Sequence, residues 1–347
     1  MLLTRTDICV NRCGHSAVYV MIMSLVIISF ALFSCDKPTE PGPNTGELAG
    51  IFFRLNIVNQ DIIETKAIDE SSVANLWVLQ FNGSSDASVL IKSTYYSSPD
   101  ISNLKLYLYN GTSQSVYFIA NTFDGNMFNA ANAPLNSYTI LMLKNKTITY
   151  SSQDDNFVLY SGNQYTRMTG LYSGNIPGGA TLTASLYRVP AKIVLTYTSI
   201  AAWDNAIVKI NSVALKNVPS TSRLLSNPSN STVYEPTTVF NYSAITSGVG
   251  PTSGSVTLYM PENIRGVVSN SLATQKAALA PVKSTYIEVN GSYYYPQSAS
   301  TPSKTVLYRI YLGANEINDY NLNSNSRYSV TATFKGINLE DSRVTAY

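Results

Sequence analysis

Histidine and cysteine are nearly missing from this 347-residue chain, and their positions matter more than their number. The single histidine is His15, and the three cysteines are Cys9, Cys13 and Cys35. Everything beyond Cys35 therefore carries no imidazole and no thiol. That body can form no disulfide, no thiolate or imidazole metal site, no Ser-His-Asp triad and no cysteine nucleophile. Only carboxylate chemistry remains open to it. Charge is scarce too: Asp, Glu, Lys and Arg make up 13% of the chain, about half the usual share. With 23 basic against 21 acidic residues the formal net charge is +2, so there is no field to neutralise many phosphates, and nucleic acid is excluded as a partner. The Glu, Lys, Arg and Ala that clothe helix surfaces are thinly spread, whereas tyrosine alone occurs 25 times. Such a composition favours half-exposed strands over helices. Hydrophobic residues still reach 45%, enough to exclude a disordered chain, and the length allows two ordinary domains.

The N-terminus reads as an address. Arg5 and Arg12 precede an apolar run from Val18 to Phe33 that is short for a membrane span of about 20 residues. The run ends in Leu32-Phe33-Ser34-Cys35, which resembles a bacterial lipobox: apolar at −3, small at −1, then cysteine. The reading is a signal peptide over 1–34, cut before a lipidated Cys35. The Pro- and Gly-rich stretch that follows makes 35–47 a flexible tether. The initiator stays open among Met1, Met21 and Met23.

The rest alternates with period two. Ile51, Phe53, Leu55 and Ile57 share one face, and Leu104, Leu106 and Leu108 another. Val116, Phe118 and Ala120 follow the turn signal Asn110-Gly111, which predicts a hairpin. Ile193, Leu195 and Tyr197, then Val256, Leu258 and Met260, then Val306, Tyr308, Ile310 and Leu312, then Tyr328, Val330, Ala332 and Phe334 repeat the pattern. Asn82-Gly83, Asp124-Gly125, Pro177-Gly178-Gly179 and Asn290-Gly291 read as turns. One short helix is expected near Leu135 to Leu143. The fold class is all-β, two tandem β-sandwiches over 48–184 and 185–347, with 219–254 as a surface insertion in the second.

Little else offers chemistry. Asp69-Glu70, Asp154-Asp155 and Glu340-Asp341 are adjacent carboxylates, which point to opposite faces of a strand and read as solvated loop charges. Asp124-Gly125-Asn126 lacks the ligand spacing of a calcium loop and reads as a turn. Trp77 and Trp203 are expected in cores. Tyr293, Tyr294 and Tyr295 are candidate ligand-facing aromatics that could stack on sugars. No enzyme, metal or cofactor is expected.

Several strings then converge. Thr65-Lys66-Ala67 follows the first strand, and Val73-Ala74-Asn75-Leu76-Trp77-Val78-Leu79-Gln80-Phe81 opens the next. Leu186-Tyr187-Arg188-Val189-Pro190-Ala191-Lys192-Ile193 looks like the opening of a second domain, and Tyr259-Met260-Pro261-Glu262-Asn263-Ile264-Arg265-Gly266 like a strand end. Tyr308-Arg309-Ile310-Tyr311-Leu312-Gly313, Asp319-Tyr320-Asn321, Asn325, Tyr328 and Asp341-Ser342-Arg343-Val344 look like a closing hairpin. Together they resemble the fimbrillin-type (type V pilus) lipoproteins of Bacteroidales. The resemblance implies transthyretin-like, Greek-key sandwiches and a subunit that travels to the outer membrane as a lipoprotein. It further implies a trypsin-like cut between the first two strands, and β-strand addition from other pilin subunits on the cell surface. Here the removed first strand carries Ile51, Phe53, Leu55 and Ile57, and the cut falls between Lys66 and Ala67; the family usually has Arg at the first position. Shaft pilins of the family carry further donor strands beyond the equivalent of Arg343-Val344, which points to a tip or accessory subunit; Leu339 to Tyr347 could instead be a short donor. A host or bacterial receptor or glycan is an expected partner. The competing reading is a surface lipoprotein that binds glycans and never polymerises.

The address makes a first prediction. Cys35→Ala should abolish incorporation of labelled fatty acid and release the protein from membranes; continued labelling would overturn the lipobox reading.

Overall fold

Strands dominate the computed structural model, which describes residues 46–58, 68–225, 234–337 and 343–346. The first half carries β1 (Leu48–Ile57), β2 (Ile68–Asp69), β3 (Leu76–Phe81), β4 (Leu90–Tyr96), β5 (Leu104–Tyr109), β6 (Gly111–Ala120), the helix α1 (Ile140–Asn145), β7 (Thr147–Thr149), β8 (Phe157–Tyr160), β9 (Asn163–Thr166), β10 (Met168–Ile176) and β11 (Thr181–Arg188). The second carries β12 (Ala191–Ser199), β13 (Ile207–Lys216), β14 (Val218–Pro219), β15 (Thr221–Arg223), β16 (Val239–Phe240), β17 (Ser253–Met260), β18 (Tyr286–Tyr294), β19 (Lys304–Tyr311), β20 (Arg327–Phe334) and β21 (Val344–Ala346). The all-β expectation is borne out.

Seven strands of the first half form one sheet in the order β4-β3-β6-β10-β11-β1-β5. Its inner face is a single apolar cluster that includes Ile51, Phe53, Leu55, Leu106, Val116, Phe118 and Leu186. Strands β3 and β6 are apolar on both sides. Their outer face, with Trp77, Leu79, Tyr117 and Ile119, is covered by Phe128, Tyr138, Ile140 and Leu143. The helix α1 supplies the last two of these and begins where the Thr139 hydroxyl caps the Met142 N–H.

This double-faced burial overturns the predicted hairpin at Asn110-Gly111. Strand β5 pairs with β1, whereas β6 pairs with β3 and β10. A strand buried on both faces belongs in the middle of a sheet, so the chain crosses from the edge to the centre. The main chain of Tyr109 is completed instead by a side chain: Gln80 Nε2 donates to the Tyr109 carbonyl (2.7 Å) and Gln80 Oε1 accepts from its N–H (3.0 Å).

The second half packs the sheet β17-β12-β20 against the sheet β13-β18-β19-β21. Ile193, Leu195, Val256 and Leu258 meet Val208, Ile210, Ile287, Val289 and Val306 between them. Tyr328, Val330, Ala332 and Phe334 point into this core as the alternation predicts. Asn290-Gly291 is not a turn but lies inside β18, opposite a register shift in β13. A Cβ on Gly291 would stand 2.7 Å from Val208 Cγ1, so glycine lets the two strands close there.

Two boundaries also move. Residues 185–188 complete β11 in the seven-stranded sheet, and the second core opens at Ala191 rather than at 185. The segment 219–254 is no mere surface insertion. Leu224 and Leu225 are buried in the outer cluster of the first half, and Tyr242 in the core of the second, so this segment ties the halves together.

Buried phenols set the alkaline limit of this fold. Burial pushes Tyr117 and Tyr138 up to about 12, and Tyr242, Tyr259 and Tyr308 higher still. An unfolded tyrosine releases its proton near pH 10. The stability these phenols contribute is therefore fully present below about pH 10 and lost as pH climbs toward 12 and beyond. Urea midpoints should fall steadily above about pH 10, with tyrosinate absorbance rising in the same transition; a midpoint flat over that range would refute the burial argument.

Candidate functional site

The candidate site is β1 and the slot it occupies. One flank of β1 runs parallel to β11, from Phe52 opposite Thr181 to Ile57 opposite Leu186. The other runs antiparallel to β5, from Leu48 opposite Tyr109 to Phe53 opposite Leu104. Ladder bonds continue past these registers. Leu55 donates its N–H to the Ile101 carbonyl (2.9 Å), and Val58 donates to Leu186 (3.0 Å). Ile51, Phe53 and Leu55 are buried, Ile57 is half-buried, and Arg54 between them is exposed. The Phe53 ring lies 5.1 Å from Phe118 and meets Tyr172 edge-on at 5.5 Å. These side chains thus project as the alternation predicts. Three such buried groups contribute ~1.5–3 kcal/mol each.

At the end of β1 sits a buried cluster of charge. Arg188, the last residue of β11, donates from Nη1 to the Val58 carbonyl (3.0 Å) and from Nε to the Glu70 carbonyl (2.9 Å). One side chain therefore holds the chain on both sides of residues 59–67. The Glu70 carboxylate accepts from Lys192 Nζ at 2.7 Å and from the Tyr259 hydroxyl, and lies 3.8 Å from Arg188 Nε. Burial pushes Arg188 below the usual guanidinium range, against the pull of Glu70. It pushes Tyr259 far above the ordinary phenol, and the bond to Glu70 adds to that. Glu70 belongs to the first half, while Lys192 and Tyr259 belong to the second, so this cluster also joins the two cores.

The family described as a domain of unknown function, DUF4906, matches residues 258–332. No curated protein matches the chain. Among solved structures, the tip fimbrial protein Mfa3 from Porphyromonas gingivalis, with a C-terminal truncation, is similar at a TM-score of 0.55 and 16% identity, over 86% of this chain and 98% of that one. A fimbrilin, FimA, from Porphyromonas gingivalis is similar at 0.51 and 12% identity, over 86% and 96%. The chain has the fold of a fimbrial protein.

Within that fimbrial fold the predicted residues fall in different places. Cys35, Lys66 and Ala67 lie outside the described residues. Tyr293 is half-buried against the second core, Tyr294 has Lys209 Nζ 4.3 Å above its ring, and Tyr295 is exposed. Trp77 is buried as expected, and its indole N–H donates to the Asp124 carbonyl (2.8 Å). Trp203 corrects the reading: it is 99% exposed. It stands in a tight turn closed by Asn205 N–H to the Ala202 carbonyl (3.0 Å) and Ala202 N–H to the Ala206 carbonyl (2.7 Å), which projects the indole outward. The turn is tied to the tyrosine loop by Gln297 N–H donating to the Asn205 carbonyl (2.7 Å).

The acidic pairs divide. Asp155 closes a short 3-10 helix, accepting the N–H groups of Ser151 and Ser152 at 2.7 Å each. Glu340-Asp341 lies outside the described residues. Glu70 is a correction, since it is buried and paired rather than solvated. Among the described residues no group of three His, Cys, Asp or Glu side chains could hold a metal ion. The strings near Asn263 carry architecture. Asn263 is fully buried, exchanges main-chain bonds with Leu322, and donates from its side chain to Lys283 O and Thr285 Oγ1.

Sequence reasoning missed the roles of Glu70, Arg188, Lys192 and Tyr259. A signal was present: in a chain so poor in charge, Arg188 and Lys192 stand inside apolar alternating strings. Their partner could not be inferred, because Glu70 lies more than a hundred residues away in sequence.

Removing one member of such a cluster leaves the others buried without compensation. Glu70→Ala should cost about 3–5 kcal/mol in denaturant unfolding, against less than about 0.5 kcal/mol for the exposed Arg54→Ala. Equal effects would show that the cluster is screened by solvent.

Proposed function

We propose that this protein is a structural and adhesive subunit of a surface fimbria. It is made as an outer-membrane lipoprotein anchored at Cys35, matured by a cut between Lys66 and Ala67, and joined to other pilins by strand addition. Its body is two sandwich domains in tandem. The observation that carries this reading is the placement of β1. It fills a gap one strand wide between β11 and β5, while β4-β3-β6-β10-β11 stay paired to one another without it. Removing β1 would expose the ladder groups of β11 on one side and of β5 on the other, together with the pocket of Ile51, Phe53 and Leu55. Such a slot binds a strand through main-chain bonds and takes alternate side chains for register. Left open, it would aggregate.

A tip or accessory position fits one further feature. The residues 344–346 form β21, which pairs with β19 of the same sheet, so they are engaged within the body rather than held out as a donor. A second reading, a glycan-binding surface lipoprotein that does not polymerise, draws on the exposed Trp203 and Tyr295.

One substitution separates the two. Lys66→Ala should leave a lipidated, uncut protein that folds normally and does not join fimbriae, whereas wild-type subunits in fimbriae should begin at Ala67. Assembly of the mutant, or mature subunits that begin at Cys35, would overturn the strand-addition role and leave the second reading.

A further inference from the structure

Strand β5 is held along one edge by β1 and at one end by a side chain. Among the described residues its ladder with β1, from Leu48 opposite Tyr109 to Phe53 opposite Leu104, is its only strand pairing. The Asn110 N–H donates to the Glu47 carbonyl (3.1 Å) on that same edge. Backbone groups alternate in direction along a strand, so the N–H groups of Leu106 and Leu108 also face β1, and that of Tyr109 faces away. On the far side Tyr109 meets Gln80 of β3. Gln80 Oε1 accepts from the Tyr109 N–H at 3.0 Å, and Nε2 donates to its carbonyl at 2.7 Å. Nε2 also donates to Gln114 Oε1. Both carboxamide hydrogens thus have acceptors, and a flipped amide would set oxygen against two oxygens, so one orientation is fixed. Gln80 and Gln114 are both buried. A single residue, Asn110, separates Tyr109 from β6, so the clamp acts at the corner where the chain turns from β5 into β6.

Resting on the strand-addition reading above, we propose that Gln80 is the spacer that holds the β1 slot open once β1 has gone, and so keeps it fit for one further extended strand. Strand β1 is antiparallel to β5 and parallel to β11, so β5 runs antiparallel to β11. Phe52 lies between Lys105 on one side and Thr181 on the other. With β1 removed, β5 and β11 are complementary edges that a move of about 4.8 Å would join into an ordinary antiparallel ladder. Such closure would pair the exposed ladder groups and hide the apolar pocket without any partner. The move carries Tyr109 out of reach of Gln80. It breaks two bonds in a buried place and leaves the Gln80 oxygen without the Tyr109 N–H, the costly outcome for a polar group shielded from water. Closure is therefore opposed by the same side chain that completes β5 in the intact protein. The partner this suits is a strand of alternating apolar residues, whose backbone restores the ladders on both sides while Gln80 keeps its bonds.

The test uses the full chain with a site-specific protease sequence in place of residues 61–66. The protein is folded intact, captured on a C-terminal tag, cut, washed in mild urea until the released segment is gone, and eluted. Hydrogen exchange resolved to single amides should then show Tyr109 slow and Leu106 and Leu108 fast, because the first keeps Gln80 and the others have lost β1. Fast exchange at Tyr109 overturns the proposal, whether β5 has closed on β11, with Leu106 and Leu108 slow, or has come loose. That measurement needs no variant, so it decides the matter even if the variant fails to fold. Gln80→Met removes the bonds at similar volume. Uncut, the variant should keep the strand content of wild type by circular dichroism, since β1 still spaces β5. Cut and washed, it should reverse the exchange pattern and bind a labelled peptide of residues 48–58 about tenfold more weakly, since only the open fraction is competent. Equal peptide affinity of variant and wild type overturns the role of Gln80 and leaves strand addition standing. If wild type with Tyr109 still slow takes no peptide, strand addition itself is wrong and the spacer falls with it.

Discussion

Main-chain pairing along both edges of β1 is the interaction on which the rest of the first half depends. A body with no thiol beyond Cys35 has no covalent cross-link to rely on, so its stability comes from apolar burial and complete ladders. Strand β1 supplies both. It closes the inner core with Ile51, Phe53 and Leu55, and among the described residues it is the only ladder partner of β5. One strand from the N-terminal end thereby completes a sheet whose other members come from much later in the chain. The same arrangement makes β1 replaceable in principle, because what it contributes is generic: backbone bonds and alternate apolar side chains.

Charge is used sparingly and where it does most. The buried cluster of Glu70, Arg188, Lys192 and Tyr259 sits at the end of β1 and between the two cores. Taking these ions out of water is expensive, and apolar residues of similar volume would often be as stable. What the ions add is direction. Arg188 fixes the carbonyls of Val58 and Glu70 with a forked, planar donor that an apolar side chain could not imitate. Tyr259 and Lys192 carry that constraint into the second sandwich, and Leu224 and Leu225 reach back the other way to bury themselves in the first.

Much of the fold and part of the site were legible in the residues. Alternation placed β1, β5, β12, β17 and β20 and named the inward side chains of each, because burying one face of a sheet imposes a period of two. It failed where that condition lapsed. Strand β6 is apolar on both faces, so its pattern could not say that it lies mid-sheet rather than in a hairpin with β5. Asn290-Gly291 carried a turn signature and serves as a close-approach point within a strand. Trp203 shows the limit for single side chains: hydrophobicity argues for burial, but a tight turn in the backbone holds the indole in solvent.

The sequence by itself determined the class of the protein. A near absence of His and Cys excludes disulfides, thiolate or imidazole metal sites and His- or Cys-based catalysis from the body, little charge and abundant Tyr favour strands, and composition and period are local properties that any reader of the chain can count. Which strands became neighbours was decided only by the tertiary structure. Pairing β1 between β11 and β5, and bringing Glu70 to Arg188 and Lys192, joins residues separated by most of the first half. Such contacts follow from how whole sheets close over a shared core, not from the residues beside them.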